Sequence, residues 1–230
     1  MVTLLSRPEP TTWLSTPPEQ APQPCLEGLG YRSSSGEQLL SSQTILDRVF
    51  PHPGSLARSC SPEARNPLVL EACSLYAASR FNPAAAPWNP SEARFHGCAS
   101  TITALIQHPF WEQIDVLAAP LHLRHRHLAV ATTAELLVRF RNGGDIGLGI
   151  CQCGQPNELN PQRVAAEIGA AIALLGDTYS WWPRRAFVLF CSPGSTKVET
   201  IEADTAVLPW LDAMDLFRSM ARLRSWEEQL

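Results

Sequence analysis

From residue 131 to residue 154 the chain reads ATTAELLVRFRNGGDIGLGICQCG, two extended segments about a tight turn. Residues 134–140 are rich in Leu, Val and Phe, and Asn142-Gly143-Gly144 supplies residues that tolerate positive φ. Residues 145–153 then resume an extended pattern. In that second segment Ile146, Leu148 and Ile150 share one face until the phase changes at Cys151. Cys151 and Cys153 lie two apart and point the same way. This pattern predicts a β-hairpin around which the domain is organised.

Downstream, Asn160-Pro161 opens the clearest helix of the chain. Val164, Ile168, Ala171, Ile172 and Leu175 form its apolar stripe, and Pro183 lies beyond its end. Residues 186–191 are a continuous apolar run, as in a central strand covered on both faces. Pro193-Gly194 turns the chain, 197–203 alternate as an edge strand, and 205–226 form a final helix with Leu211, Met214, Leu216 and Phe217 among its packing residues. Upstream, 114–123 read as one strand. A helix is expected over 92–108, capped by Ser91 or Asn89, and another over 68–81, opened by Asn66-Pro67. The latter's expected stripe is Leu68, Ala72, Leu75 and Ser79, with Cys73 and Tyr76 beside it. Ser41 or Ser42 caps a short helix ending before Pro51, and 31–36 read as a turn. The resulting order predicts an α/β fold, a small mixed β-sheet flanked by helices, in one domain over 31–230. Residues 1–30, with Pro8, Pro10, Pro17, Pro18, Pro22 and Pro24, read as an extended arm that Trp13 and Leu14 would anchor.

Across the 230 residues, 45% are hydrophobic, enough for a real core, and 17% are charged, which is low. The formal charge of −4 and a pI near 5.9 exclude a basic coat, so any nucleic-acid contact must come from a local patch. Lys197 is the only lysine. No apolar run spans a bilayer, and the first residues lack the pattern of a signal peptide, so no membrane partner is expected. Seven scattered cysteines favour free thiols in a reducing cytoplasm, and a cytoplasmic location is the expectation.

Several fragments then fall in a familiar order. Tyr31 and Gly36 precede Ser42-Gln43-Thr44-Ile45-Leu46. His96-Gly97-Cys98-Ala99-Ser100-Thr101 follows, then Ala119-Pro120-Leu121, then Ala131-Thr132-Thr133-Ala134-Glu135-Leu136-Leu137, then the helix at 164–175. Over 31–217 the chain resembles the PD-(D/E)XK nuclease superfamily, and within it the phage-type and mitochondrial genome-maintenance exonucleases. That family writes a Ser-Val-Thr-x-Ile-Leu helix start, an Arg-Gly-Thr-x-x-His segment, a strand with Gly-Thr-Ile-Asp, and a Gln-Leu-x-x-Tyr helix. The resemblance implies a PD-(D/E)XK nuclease-like fold and metal-assisted phosphodiester hydrolysis, for which Mg²⁺ needs converging carboxylates and a strand lysine assists the water.

At the positions that carry that chemistry this chain departs from the family. Thr101 stands in place of the histidine, and Glu135 in place of the second-strand aspartate. Cys151 and Cys153 replace the third-strand acid and lysine, and Glu167 replaces the glutamine of the following helix. Lys197 lies beyond the next helix and cannot be the missing lysine. Two thiols favour a soft metal over Mg²⁺. The resemblance therefore implies a pseudoenzyme: a nuclease fold without its centre, acting as a DNA-binding or protein-interaction subunit in a phage or bacterial DNA-processing assembly. No cofactor is expected. The alternatives are an active metal-dependent DNA exonuclease with a minimal site of Glu135, Asp145 and Glu167, using Mg²⁺, and a structural or interaction module with no nucleic-acid role.

Three further constellations are two-sided. Cys151, Cys153 and Cys191 invite zinc, but mid-strand placement fits buried inert thiols better. His122, Arg124, His125, Arg126 and His127, joined across the hairpin by Arg139 and Arg141 and by Arg184-Arg185 at a helix end, form either a phosphate-binding patch or a solvated loop. Trp181-Trp182 either stacks on bases or packs the helix end.

Overall fold

The computed structural model describes residues 30–32, 38–50, 66–86, 88–125, 130–179 and 182–227. Apart from Gly30, the proline-rich arm lies outside them. In chain order the elements are β1 (Gly30–Arg32), β2 (Gln38–Ser41), α1 (Ser42–Val49), α2 (Pro67–Phe81), α3 (Ala99–Ile106), β3 (Ile114–Ala118), β4 (Leu121–Arg124) and β5 (Val130–Ala134). They continue with β6 (Leu136–Phe140), β7 (Ile146–Cys153), α4 (Pro161–Tyr179), β8 (Arg185–Ser192), β9 (Ser195–Glu202) and α5 (Ala203–Glu227).

The predicted hairpin is β6–β7, paired antiparallel with Leu136 opposite Gly149 and Arg139 opposite Ile146. Its turn uses Gly143 and Gly144 at φ 88° and 70°, where a Cβ is strained. β3 flanks β6 antiparallel, α4 then crosses over, and β8 joins β7 parallel, giving a five-stranded mixed sheet β3-β6-β7-β8-β9 with β9 at its edge. A smaller mixed sheet runs β1-β2-β5-β4. The architecture is thus α/β, mixed sheets flanked by helices. An antiparallel meander followed by a crossover helix to a parallel strand is the nuclease-like arrangement that the resemblance implies.

Two cores lie on opposite faces of the five-stranded sheet. Leu148, Ile150, Ala186 and Val188 pack with α4 and α5 on one face; Cys151, Phe187, Leu189 and Cys191 pack with α2 and α3 on the other. The alternation of β7 runs unbroken through Cys151: Gly147, Gly149 and Cys151 share the α2/α3 face, so the apparent phase change is a change of residue type from glycine to cysteine on that face. The helix starts are fixed by side chains: Ser41 accepts from Gln43 N, Asn66 from Leu68 N, and Asn160 from Gln162 N and Arg163 N.

Several expectations are corrected. The stretch 114–123 is two strands in different sheets, parted at Ala119-Pro120, since proline withholds the N–H that a continuing ladder needs. The stretch 134–140 is likewise split: β5 belongs to the small sheet, β6 to the large one, and Glu135 lies between. Tyr31 is in strand β1 rather than a turn. The helix expected over 92–108 is a 3-10 segment, Ala93–Cys98, followed by the short α3; Glu92 takes the cap position with no side-chain bond, and Asn89 instead accepts from Ser91 N in a turn. On α2 the buried positions are Val69, Ala72, Cys73 and Ala77, one step round from the expected stripe, because Leu70 and Leu75 face a cleft.

On α5 the structure buries Ala206, Val207, Trp210, Ala213 and Met214, and leaves Leu211 and Leu216 half exposed. The cause is a backbone contact. A Cβ on Gly169 of α4 would lie 2.0 Å from the Ala206 carbonyl oxygen, so the two helices meet there and that contact sets the rotation of α5. Gly169→Ala must push the helices apart, and its expected cost is about 2 kcal/mol or more in urea unfolding. Leu211→Ala and Leu216→Ala should stay within about 0.5 kcal/mol of the parent.

Candidate functional site

Glu135 occupies the point where the chain leaves the small sheet and enters the large one. It is 3% exposed, and its Oε2 accepts the Cys151 backbone N–H at 2.8 Å. That bond joins the break between β5 and β6 to the neighbouring strand. Glu135 also lies at the base of a cleft of about 530 Å³ between α2, the start of α1, β5 and Ala119-Pro120. Ser42 on the same floor donates to the Thr132 hydroxyl at 2.7 Å. His122 Nδ1 and Thr133 Oγ1, both lining the cleft, are 3.2 Å apart. Burial lowers the His122 pKa from its ordinary value, so the imidazole is neutral at pH 7.

Cys151 and Cys153 stand where the resemblance places an acid and a lysine. Cys151 is fully buried, its sulfur 3.4 Å from that of Cys191. Cys73, from α2, completes a three-thiol cluster by hydrogen bonding to Cys151. The Cys153 sulfur accepts the Asn66 N–H at 3.2 Å. All three clustered thiols are held protonated. For Cys191 the hydrogen bond with Cys151 and burial raise the pKa. For Cys151 the bond with Cys191 lowers it, but the bond with Cys73 and burial outweigh that and leave it far above the ordinary thiol value. For Cys73 the bond with Cys151 lowers it, and burial with Cys191 and Glu135 nearby reverses the sign.

Glu167 lies across β7 from the thiols. Gln152, between Cys151 and Cys153, points to the α4 face by the alternation of the strand and donates to Glu167 Oε2, while Gln43 donates to Oε1. Gln152 Oε1 is buried with no hydrogen-bond partner among the described residues. Arg163, one turn before Glu167, reaches Gln43 Oε1 at 3.2 Å and Asp47 at 2.5 Å. This is a buried polar network tying α1, β7 and α4 together. Its carboxylate is held by two amides.

Asp145 is elsewhere. It follows the hairpin turn and pairs with Arg184 at 3.4 Å and Arg185 at 3.5 Å. Cys151 lies six steps along the chain from it, about 20 Å at the rise of a strand. The structure therefore does not bring Glu135, Asp145 and Glu167 into one site. Among the described residues no group of three or more His, Cys, Asp or Glu side chains is arranged to hold a metal ion. Among the described residues the cleft carboxylates are Glu135, whose Oε2 holds the Cys151 N–H, and Glu71, which pairs with Arg94; with protonated thiols beside them they do not fit Mg²⁺, which requires several hard oxygen ligands. Thr101 is buried on α3, which packs against β8 and β9, and does not line the cleft.

The arginines divide as well. Arg139, Arg141, Arg184 and Arg185 gather at the turn end of the hairpin, interleaved with acids: Arg141 pairs with Asp115 at 2.9 Å, and Asp115 faces Arg139 in the β3–β6 register. Arg124 ends β4 in the other sheet, where its carbonyl accepts from Thr178. Arg126, His127 and Trp181 fall outside the described residues; Trp182 is 48% exposed. Sequence reasoning missed Gln43, Gln152, Arg163 and Cys73. Gln152 had a signal, because a polar residue between two inward cysteines must face the helix that follows.

No family model and no curated protein matches the chain. Among solved structures it is similar to an alkaline exonuclease (LHK-Exo) from Laribacter hongkongensis, at 10% identity and a TM-score of 0.39, over 81% of this chain and 93% of that one. It is also similar to SSO0001, at 10% identity and a TM-score of 0.29, over 76% and 85%. The fold is read from the strand order itself.

Burial and raised pKa make the clustered thiols poor nucleophiles. With iodoacetamide at pH 8, the native protein should alkylate at Cys153 at least about tenfold faster than at Cys73, Cys151 or Cys191. The difference should vanish in denaturant, as read by site-resolved mass spectrometry.

Proposed function

We propose that this protein uses a nuclease-like fold for recognition, does not hydrolyse phosphodiesters, and serves as an interaction subunit, with the cleft beside Glu135 as its binding site for a protein partner. The observation that carries the reading is the packing at β7. The two side chains that would need to be an acid and a lysine are thiols, one of them sealed between β8 and α2. The neighbouring carboxylates are separated, with Glu135 on the Cys151 peptide, Glu167 on two glutamines and Asp145 on two arginines. Among the described residues lining the cleft there is no lysine or arginine, and the walls carry Leu70, Leu75, Ala119 and Pro120, which supports a protein segment over a phosphate backbone as its occupant.

A second reading places a nucleic-acid contact away from the cleft. It is favoured by the four arginines at the turn end of the hairpin, where Arg184 and Arg185 are 69% and 42% exposed. In this reading DNA lies across that end and a protein partner occupies the cleft, as in a subunit of a DNA-processing assembly.

One set of measurements separates these readings from an active nuclease. Purified protein incubated with linear and nicked duplex DNA in Mg²⁺ or Mn²⁺ should cleave no faster than its Glu135→Ala variant. Cleavage that Glu135→Ala abolishes overturns the proposal. Fluorescence anisotropy with labelled duplex across a salt series tests the second reading. Replacing Arg184 and Arg185 with Ser should lower the salt slope by up to about two if DNA lies there.

A further inference from the structure

The outermost strand of the large sheet, β9, carries backbone groups that no ladder uses. Pro193-Gly194 joins it to β8, and Ser192 stands opposite Ser195. A two-residue loop is closed by a pair that exchanges both backbone hydrogen bonds, and such pairs then alternate along the ladder. Ser195, Lys197, Glu199 and Ile201 therefore turn their peptide groups toward β8, and Thr196, Val198 and Thr200 turn theirs outward. Among the described residues no strand lies beyond β9, and no turn or loop backbone bonds to these three. Lys197 and Glu199 share one face of the strand, 2.6 Å apart, with side chains 59% and 39% exposed. Ile201 on that face packs against the core under α4 and α5, and Val198 on the other packs against the core under α2 and α3.

We infer that β9 pairs antiparallel with β9 of a second copy of this chain, about a two-fold axis at Val198. In that register Val198 meets Val198 and Thr196 meets Thr200 through the outward peptide groups. Lys197 of each copy stands opposite Glu199 of the other, so the strand is its own charge complement. Opposite charges and β-branched residues directly across an antiparallel pair stabilise it, and like charges destabilise it. A lysine on a sheet edge ordinarily deters pairing with strands that offer it no counter-charge. Lys197, the only lysine of the chain, acts so in the neighbouring two-fold registers. Centring on Lys197 or Glu199 sets like charges face to face, and centring on Thr196 or Thr200 gives neither charge a cross-strand counter-charge. The contact is isologous and closes at two copies, joining two five-stranded sheets into one. It is independent of the cleft and of what the cleft binds.

Sedimentation equilibrium of the full chain, from about 1 to 500 µM, should show a reversible monomer–dimer equilibrium, weak as befits an interface carried by one strand. Lys197→Glu and Glu199→Lys each set like charges across the axis and should raise the dissociation constant at least about tenfold. An equimolar mixture of these two variants should form a heterodimer at least about tenfold more tightly than either self-associates, because all four charges are then matched. Exchanging both residues in one chain, Lys197→Glu with Glu199→Lys, should restore self-association. Val198→Pro removes the central outward N–H, leaves the ladder to β8 its donors, and should abolish the dimer. Thermal melting verifies that each variant is folded. Amide hydrogen exchange should slow at Thr196, Val198 and Thr200 as concentration rises and stay constant at Lys197 and Glu199. A monomer at every concentration overturns the inference, as does a dimer that both charge reversals leave intact. So does a mixture no tighter than its components, or exchange at those three amides that does not respond to association.

Discussion

The hydrogen bond from the Cys151 peptide to the Glu135 carboxylate, 2.8 Å long and buried, sits where the two sheets part. β5 must end and β6 begin at this point, because β5 pairs with β2 and β4 while β6 pairs with β3 and β7. A fork of this kind leaves backbone groups without ladder partners, and a buried unpaired peptide group is costly. Glu135 satisfies the N–H of Cys151 from the gap itself. The carboxylate is therefore a structural acceptor first. Its position beside the cleft follows from the fork, next to the space that α2 and Ala119-Pro120 wall.

The other face of β7 is secured in a different way. α4 is buried almost all round, between the sheet on one side and α5 on the other. Gly169 sets the contact with α5, and the polar network of Gln43, Gln152, Arg163 and Glu167 sets the contact with α1 and β7. Such networks are sensitive to incomplete pairing, since each buried member lacks water to fall back on. Glu167 is in this respect unlike an open metal ligand. Two amides already meet its oxygens, and a cation entering there would have to displace them.

Much of the fold was legible because it rests on periodicity and punctuation. The Asn-Gly-Gly turn, the stripe on α4, the continuous apolar run of β8 and the caps at Ser41 and Asn66 are local signals, and the structure keeps each. What local pattern could not show was where the chain changes sheet. Residues 130–140 carry an extended sequence pattern, and only the bend at Glu135 and the pairing partners reveal that it divides them. The same limit explains α5. Leu211 and Leu216 are apolar, but the close approach at Gly169 turns Ala206 and Trp210 inward instead. For the site, the structure sets Glu135 against the Cys151 peptide and Cys153 against Asn66. Joining Asp145 to Glu135 ignored the length of β7 between them.

The thiols also govern how closely α2 meets β7. An acid and a lysine at positions 151 and 153 would need water, metal or each other on a sheet face, and α2 would have to stand off to admit them. Cysteine carries no such requirement when protonated and behaves as a small hydrophobe. With Cys73 meeting Cys151, α2 closes directly onto β7, and Asn66 at its start bonds to Cys153. The closure that buries the sulfurs also presents Leu70 and Leu75 on the adjoining face of α2, toward the cleft. The buried thiols and the apolar wall are thus two results of one packing arrangement, and the fork between the sheets places the Glu135 carboxylate where the Cys151 N–H needs an acceptor.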